Sequence, residues 1–288
     1  MCPWRAHPGR SQDRERGDGP QDSDAPRGHE GRTGVQLAGK TVLVTGASKG
    51  IGAAIARKLG ADGATVIAHC NTDLAGARAA LADLPPERGH VLSADQGDPS
   101  AMDRLWEQTL GLAPRIDCVV LNAAIFLGGG GIEDGMDAWE HAWETQWRVN
   151  VASPTRLMKH AVNHFVAQGG GVLVTMSSWA AQRGAGSQAT IAYAATKAAV
   201  KAAAQTVARH YAKAGVLSYI VAPGVVRTQM SVDAAAIAGG EDKVTAGLAM
   251  GEWVPPEDLA ELVAFMATGR VRHMSGATID VNGASYIR

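Results

Sequence analysis

Short apolar runs that alternate with helical segments constrain the fold of this chain more than any other feature. The first run, TVLVT at 41–45, ends at a glycine turn, and the helical segment IGAAIARKLGADG follows it. Apolar runs separated by helices are typical of a parallel sheet that is covered on both faces. Right-handed crossovers then predict an α/β fold, a doubly wound parallel sheet of the Rossmann type, in a single domain over residues 35–288. The later runs are ATVIAH, HVLSA, IDCVVLN, GVLVTMSS, VLSYIVAPG and ATIDVNG.

Residues 1–34 have a different composition from the rest of the chain. They are rich in Arg, Asp, Gly and Pro and contain almost no apolar side chains. Such a segment cannot bury enough surface to offset its ordering entropy, so we predict a disordered N-terminal extension. It lacks the apolar stretch of a secretory signal, and its many acids argue against a transit peptide. The sequence VQLAGKTVLVTG that follows reads like the beginning of the fold, so we expect the folded domain to start near Val35.

The charge and cysteine content exclude several classes of function. The 288 residues carry a formal net charge of -1, which gives no electrostatic reason to expect a nucleic-acid or membrane partner. No apolar run approaches the roughly 18 residues of a membrane span. The three cysteines, Cys2, Cys70 and Cys118, form no CxxC pair, so we expect neither a disulfide framework nor a zinc site. The composition favours a protein of the reducing cytoplasm.

The turn after the first strand has the sequence TGASKGIG, with glycines spaced GxxxGxG. We expect Gly46 to permit a tight turn, Gly50 to let the backbone approach a diphosphate, and Gly52 to allow close packing of the following helix. The N-terminus of that helix offers free N–H groups and the positive end of a dipole to phosphates. A glycine-rich connector without a ligand is the alternative, because such motifs are weak evidence alone.

Tyr193 and Lys197 are four residues apart in the helical segment IAYAATKAAV, so they lie on one helix face. A free tyrosine has a pKa of about 10. A nearby ammonium favours the phenolate and lowers that pKa, which predicts a proton donor and acceptor. Ser177 or Ser178, at the end of a predicted strand, could hold a carbonyl oxygen beside the phenol. An amphipathic surface pair without a catalytic role is the alternative.

These motifs follow the order found in the short-chain dehydrogenase/reductase (SDR) family, which the chain resembles over residues 36–288. Each motif is modest alone, but seven in the family's order make a chance match improbable. The matching residues are the glycines of TGASKGIG, Asp95 in SADQGD, Asn122 in NAAI, Asn150 in WRVNV, Ser178 in MSSWA, Tyr193 and Lys197 in YAATK, and Pro223, Gly224 and Thr228 in APGVVRT.

The resemblance implies a role for each matched residue. Tyr193 is expected to be the general acid/base and Ser178 to orient the substrate oxygen. Lys197 is expected to lower the pKa of the tyrosine and to hold the nicotinamide ribose, and Asn150 to anchor a water that links Lys197 to solvent. The implied cofactor site comprises Gly46, Ser48, Lys49, Gly50, Ile51, Gly52, Asn71, Asp95, Gln96, Asn122, Ala123, Pro223, Gly224, Val226 and Thr228.

The chain departs from the family pattern in two places. Fourteen residues separate Ser178 from Tyr193, slightly more than the family usually has, which we take as a change in the shape of the substrate pocket. NAAI has Ala and Ile where the family usually has a second Asn and Gly, although Asn122 itself is kept.

The end of the second strand predicts which cofactor the chain prefers. An NAD site usually has an acid there to hold the ribose 2′-hydroxyl. In this chain the corresponding position is Cys70, which is followed by Asn71. The nearest acid, Asp73, is expected to cap the next helix. Lys49 precedes Gly50, where a cation would attract a 2′-phosphate. We therefore expect NADP(H) to be preferred and NAD(H) to remain possible, the alternative being a solvated Lys49 in an enzyme that tolerates both.

The sequence thus predicts an NADP(H)-dependent oxidoreductase that interconverts a small-molecule ketone and a secondary alcohol. The alternatives are a 3-oxoacyl-thioester (acyl-carrier-protein) reductase and a non-catalytic dinucleotide sensor on the same fold. A sensor would not need the set of Asn150, Ser178, Tyr193 and Lys197.

Three further expectations concern the substrate pocket, assembly and backbone. Substrate determinants are expected in 125–135, 179–192 and 229–253, the last forming a mobile lid with Met230, Met250 and Trp253 as apolar contacts. The resemblance also implies a homotetramer, and we expect no metal site. One long helical region is predicted over 137–168.

Overall fold

Seven parallel strands form a single sheet in the computed structural model, which describes residues 36–288. The order across the sheet is β3-β2-β1-β4-β5-β6-β7. The doubly wound α/β fold is therefore confirmed. The predicted disorder of residues 1–34 lies outside the described residues. The strands are β1 (Thr41–Thr45), β2 (Thr65–Cys70), β3 (Gly89–Ser93), β4 (Cys118–Leu121), β5 (Gly171–Met176), β6 (Val216–Pro223) and β7 (Thr278–Val281).

Helices cover both faces of the sheet because strand residues alternate between two apolar cores. Val42 and Val44 of β1 pack into the core under α1 and α10, whereas Leu43 packs into the core under α3, α5 and α7. The helices are α1 (Gly50–Ala61), α2 (Leu74–Ala80), α3 (Ala101–Leu112), α4 (Met136–Trp147), α5 (Ser153–Ala167), α6 (Ala180–Arg183), α7 (Ile191–Tyr211), α8 (Gln229–Ile237), α9 (Glu241–Ala246) and α10 (Pro256–Ala267).

The strand order reverses between β1 and β4. The chain runs outward from β1 through β2 to β3, and then returns to place β4 on the other side of β1. The connections after β1 and β4 therefore leave the sheet in opposite directions and open a crevice at the carboxyl ends of these strands. This crevice is where the glycine turn and the predicted site residues lie.

The helical region predicted over 137–168 is not one continuous α-helix. A π-helical turn, Arg148–Ala152, separates α4 from α5. Pro154 explains the break, because proline has no N–H to donate to the carbonyl of Asn150 and its ring clashes with that carbonyl in an α-helix. The interruption places Asn150 at an irregular point of the backbone.

Within residues 36–288, no helix is both long and apolar enough to cross a membrane.

Candidate active site

The glycine turn after β1 has a backbone that only glycine adopts readily. Gly46 has φ of +66° and Gly50 has φ of +54°. A Cβ on Gly52 would overlap the carbonyl oxygen of Gly46 and lie 2.5 Å from Nδ2 of Asn122. The absence of a side chain at Gly52 therefore lets the first turn of α1 pack against the backbone of Gly46 and against Asn122, which follows β4.

The N-terminus of α1 is open toward the crevice. Lys49 is the N-cap residue, and its side chain makes no capping hydrogen bond. The first N–H groups of the helix and the positive end of its dipole are thus available to an anion. The surrounding cleft has a volume of about 370 Å³. All fifteen predicted cofactor residues line it: Gly46, Ser48, Lys49, Gly50, Ile51, Gly52, Asn71, Asp95, Gln96, Asn122, Ala123, Pro223, Gly224, Val226 and Thr228.

Asn122 and Gln96 hold the walls of this cleft together. Nδ2 of Asn122 donates to the carbonyl of Thr45 at 2.8 Å, which joins the ends of β1 and β4. Nε2 of Gln96 donates to the carbonyls of Ala123 and Val149, at 3.0 and 2.9 Å. The two amides fix backbone positions, and their side-chain nitrogens are occupied by the protein itself.

The end of β2 carries no acid toward the cleft. Cys70 and Asn71 line the cleft at this point. Asp73 caps α2, where its Oδ1 accepts from the N–H of Gly76 at 2.8 Å, so the predicted capping role is confirmed. Lys49 lines the same cleft and is exposed.

Sequence reasoning missed His69, which is buried beneath the glycine turn. Its Nδ1 accepts from the N–H of Gly46 at 3.4 Å, and its Nε2 lies 3.0 Å from the carbonyl oxygen of Ala94. Burial lowers the pKa of His69, so it is neutral and donates from Nε2. A histidine at the end of an otherwise apolar strand was the available signal for this role.

Tyr193, Ser178 and Lys197 meet at the far end of the cleft. Ser178 and Tyr193 line the same space, and Oγ of Ser178 accepts from the N–H of Ala180 at 3.1 Å. Ser177 donates its hydroxyl to the backbone carbonyl of Lys197 at 3.0 Å, so this serine is engaged elsewhere. Of the two serines that the sequence left open, Ser178 is the one beside the phenol.

The pKa of Tyr193 beside Lys197 differs from what the sequence predicted. Burial raises the pKa of Tyr193 to about 12, opposed by the hydrogen bond with Ser178. Nζ of Lys197 lies 5.8 Å from the centre of the tyrosine ring and donates to the carbonyl of Met176 at 3.0 Å. Burial lowers the pKa of Lys197 to about 8. The pKa of Tyr193 is therefore raised and not lowered as expected, because loss of solvation on burial is the largest cause of its shift.

Asn150 is buried behind the site and does not line the cleft. Its Oδ1 accepts from the N–H of Ile125, and its Nδ2 donates to the carbonyl of the same residue, both at 2.9 Å. Nδ2 also lies 3.2 Å from Oγ1 of Thr196, next to Lys197. The side chain thus ties the loop after β4 to α7, and its own polar atoms are used in doing so.

A second cavity of about 770 Å³ opens beside the cleft. Ser178 and Tyr193 line both spaces, so the two cavities meet at these hydroxyls. Phe126 packs edge-on against the ring of Tyr193, with the ring centres 5.7 Å apart. Residues of α6, α8 and α9 form the remaining walls, which agrees with the predicted ranges for substrate determinants.

Only one of the three apolar lid contacts expected from the sequence lines this cavity. Met230 lines it. Trp253 is 4% exposed, donates from Nε1 to Thr245 at 2.7 Å and packs under the guanidinium of Arg227. Met250 is 66% exposed. Trp253 is therefore a packing residue of the lid, and Met250 points to solvent.

Comparison with known proteins identifies the class that this fold and site define. A family model described as enoyl-(acyl carrier protein) reductase matches residues 46–284. The 3-oxoacyl-(acyl-carrier-protein) reductase FabG of Escherichia coli is 32% identical over 256 residues, 88% of this chain and 100% of that protein. The chain belongs to the short-chain dehydrogenase/reductase family of oxidoreductases.

Other relatives have different specificities. The 3beta-hydroxysteroid dehydrogenase 1 of Eggerthella lenta is 30% identical over 257 residues, 86% of this chain and 94% of that protein. A crystal structure of a short chain dehydrogenase from Burkholderia cenocepacia in complex with NADP is 31% identical with a TM-score of 0.78, and the match covers 87% of this chain and 99% of that one. The similarity therefore extends over essentially the whole described domain.

Proposed function

We propose that this protein is an NADP(H)-dependent oxidoreductase that reduces a ketone to a secondary alcohol. The observation that carries the proposal is the position of Ser178 and Tyr193, which line both the cleft at the glycine turn and the second cavity. A substrate carbonyl in the second cavity would meet a cofactor in the cleft at these two hydroxyls. A non-catalytic sensor would need the cofactor cleft, but it would not need a substrate cavity that adjoins this cleft at two hydroxyl groups.

The residues of the cleft fit NADP(H). Gly46 and Gly50 give the turn its positive φ angles, Gly52 lets α1 pack closely against it, and α1 offers uncapped N–H groups to the diphosphate. Lys49 and Asn71 would hold the 2′-phosphate, and the residues at the end of β2 contribute no acid to the lining of the cleft, which removes a source of repulsion. The NADP bound to the Burkholderia relative supports this choice of cofactor.

When bound, the reduced cofactor supplies the hydride. The chain supplies the proton and holds the oxygen that receives it. In our proposal Ser178 donates a hydrogen bond to the carbonyl oxygen, and Tyr193 donates its phenolic proton to the same oxygen as negative charge develops there. A tyrosine with a pKa of about 12 is fully protonated at neutral pH, which is the state that reduction requires.

Lys197 and Asn150 support the proton donor in this proposal. Nζ of Lys197 is fixed by the carbonyl of Met176 and lines the cofactor cleft, where an ammonium would hold a ribose hydroxyl. The side chain of Asn150 hydrogen-bonds both to Thr196 of α7 and to Ile125 of the loop after β4, and so fixes these two segments relative to each other. In our proposal the water near Asn150 donates a hydrogen bond to the backbone carbonyl of Asn150. This carbonyl lacks its usual α-helical donor, because Pro154 has no N–H.

The test is a screen of purified protein against structurally varied ketones with NADPH and NADH. Consumption of NADPH with at least one ketone, together with formation of the alcohol, supports the proposal. Tight NADPH binding without turnover of any ketone or thioester would support the sensor instead.

A 3-oxoacyl-thioester reductase is the second candidate. The identity of 32% to the Escherichia coli reductase and the similarity to a 3-oxoacyl (acyl-carrier-protein) reductase from Agrobacterium tumefaciens, solved with NADP bound, favour it. A kcat/KM for an acyl-carrier thioester far above that for free ketones would select this candidate.

We further propose a cytoplasmic homotetramer. The two described cysteines, Cys70 and Cys118, are free and buried, as expected in a reducing compartment. α7 carries small side chains that suit close helix packing across a two-fold axis, namely Ala194, Ala198, Ala202 and Ala203. Light scattering at micromolar concentration that gave the mass of a monomer would refute the tetramer.

A further inference from the structure

Arg183 lines the substrate cavity and stacks on a neighbouring aromatic ring. It is the last residue of α6, five residues after Ser178, and it lines the same cavity as Ser178 and Tyr193. Its guanidinium carbon lies 4.0 Å from the centre of the Trp179 ring. Stacking of this kind orients the planar cation and leaves its N–H groups free to bind an anion edge-on.

Lys243 brings a second cation to the cavity from the lid. It belongs to α9 and lines the same space. A Cβ added to Gly239 would lie 3.2 Å from Nζ of Lys243, so the ammonium packs against a bare glycine backbone. Arg183 and Lys243 are thus carried by two different helices, α6 and α9.

No carboxylate of the described chain neutralises these two cations. Neither Arg183 nor Lys243 forms an ion pair within residues 36–288, whereas Arg227 of the same lid region pairs with Glu241. The residues lining the cavity include no Asp and no Glu. A cavity lined by two cations without an ion-pair partner and by no carboxylate has a positive potential that attracts an anion.

We propose that the substrate of this enzyme carries an anionic group, a carboxylate or a phosphate, which Arg183 and Lys243 bind while the carbonyl lies at Ser178 and Tyr193. This inference rests on the proposed function and narrows its substrate class to oxo acids or oxo phosphoesters. Both cations are exposed, so the anion keeps contact with water and the gain is moderate. Charge-assisted hydrogen bonds of this kind correspond to roughly tenfold in kcat/KM for each cation.

The experiment measures kcat/KM for matched substrates with saturating NADPH. A series of oxo acids with increasing numbers of methylene groups between carbonyl and carboxylate is compared with the methyl esters of the same acids. An oxo-alkyl phosphate of each length forms a third arm. We expect one chain length at which the acid or the phosphate exceeds the ester at least tenfold, and the better of the two anions identifies the group.

Three substitutions assign the effect to the proposed residues. Arg183→Gln and Lys243→Gln should each lower kcat/KM for the anionic substrate about tenfold and leave the ester unchanged. Arg209→Gln, on the exposed last turn of α7, is the matched control and should change neither. Raising the salt concentration should reduce the preference for the acid in wild type and have little effect in the double variant.

The inference is overturned if the ester equals both anions at every chain length, or if Arg183→Gln and Lys243→Gln act equally on acid and ester. Calorimetric titration of the Tyr193→Phe protein with acid and ester, in the presence of NADPH, separates this inference from the proposed function. Preferential binding of the acid would support the anion site even if no ketone were reduced. Equal binding of acid and ester would reject the site even if the protein reduced neutral ketones.

Discussion

Gly52→Ala tests whether the packing of the glycine turn controls cofactor binding. The added methyl would overlap the Gly46 carbonyl oxygen and lie 2.5 Å from Nδ2 of Asn122, about 1 Å inside ordinary contact. The first atom belongs to backbone and the second is held by the Thr45 carbonyl, so neither can turn aside. Overpacking of this kind costs about 1–3 kcal/mol. We expect the relief to come from displacement of the turn, with NADPH affinity falling at least tenfold.

The assay is calorimetric titration with NADPH, well below the melting temperature, after circular dichroism has shown that the variant is folded. Each kcal/mol of lost stability should lower the melting temperature by about 2–4 °C. Gly111→Ala is the matched control, because Gly111 lies inside α3 with nothing within 4 Å of the added Cβ. That variant should bind NADPH normally and gain up to about 1 kcal/mol of stability. An affinity of Gly52→Ala within twofold of wild type would refute the reasoning.

Two further predictions concern charges in the cleft. Lys49→Ala should raise the KM for NADPH about tenfold and leave the KM for NADH unchanged, because the exposed ammonium would contact only the 2′-phosphate. An equal effect on both cofactors would contradict this role of Lys49. The kcat/KM for reduction should fall as the pH rises through about 8, because Lys197 loses its charge there, whereas Tyr193 remains protonated up to about pH 12. A kcat/KM that stays constant up to pH 10 would contradict the role of the Lys197 ammonium.

The sheet and the glycine turn could be predicted because their signals are local. TVLVT at 41–45 is β1 to the residue, and each later apolar run overlaps a strand of the sheet, with an offset of one residue at β2 and β3. The spacing of Tyr193 and Lys197 placed both on one face of α7 without any knowledge of the rest of the fold. Helix and strand periodicities act over a few residues, so a single sequence is enough to reveal them.

The parts of the site that depend on distant segments could not be predicted. Trp253 was expected in the substrate cavity, but tertiary packing buries it under Arg227. The pKa of Tyr193 was expected to fall, but burial by elements far apart in the chain raises it. Arg183 and Lys243 are sixty residues apart in sequence, and only the folded lid brings them to one cavity.

Ketone-dependent oxidation of NADPH by wild type and by Tyr193→Phe, on a ketone that the screen identifies, tests the central claim most directly. Tyr211→Phe, at the C-terminal end of the same helix, is the control for loss of a phenol elsewhere. Loss of the proton donor should lower kcat at least about 100-fold, with the Kd for NADPH within about twofold of wild type. Retention of more than a tenth of the wild-type kcat by Tyr193→Phe would contradict the account.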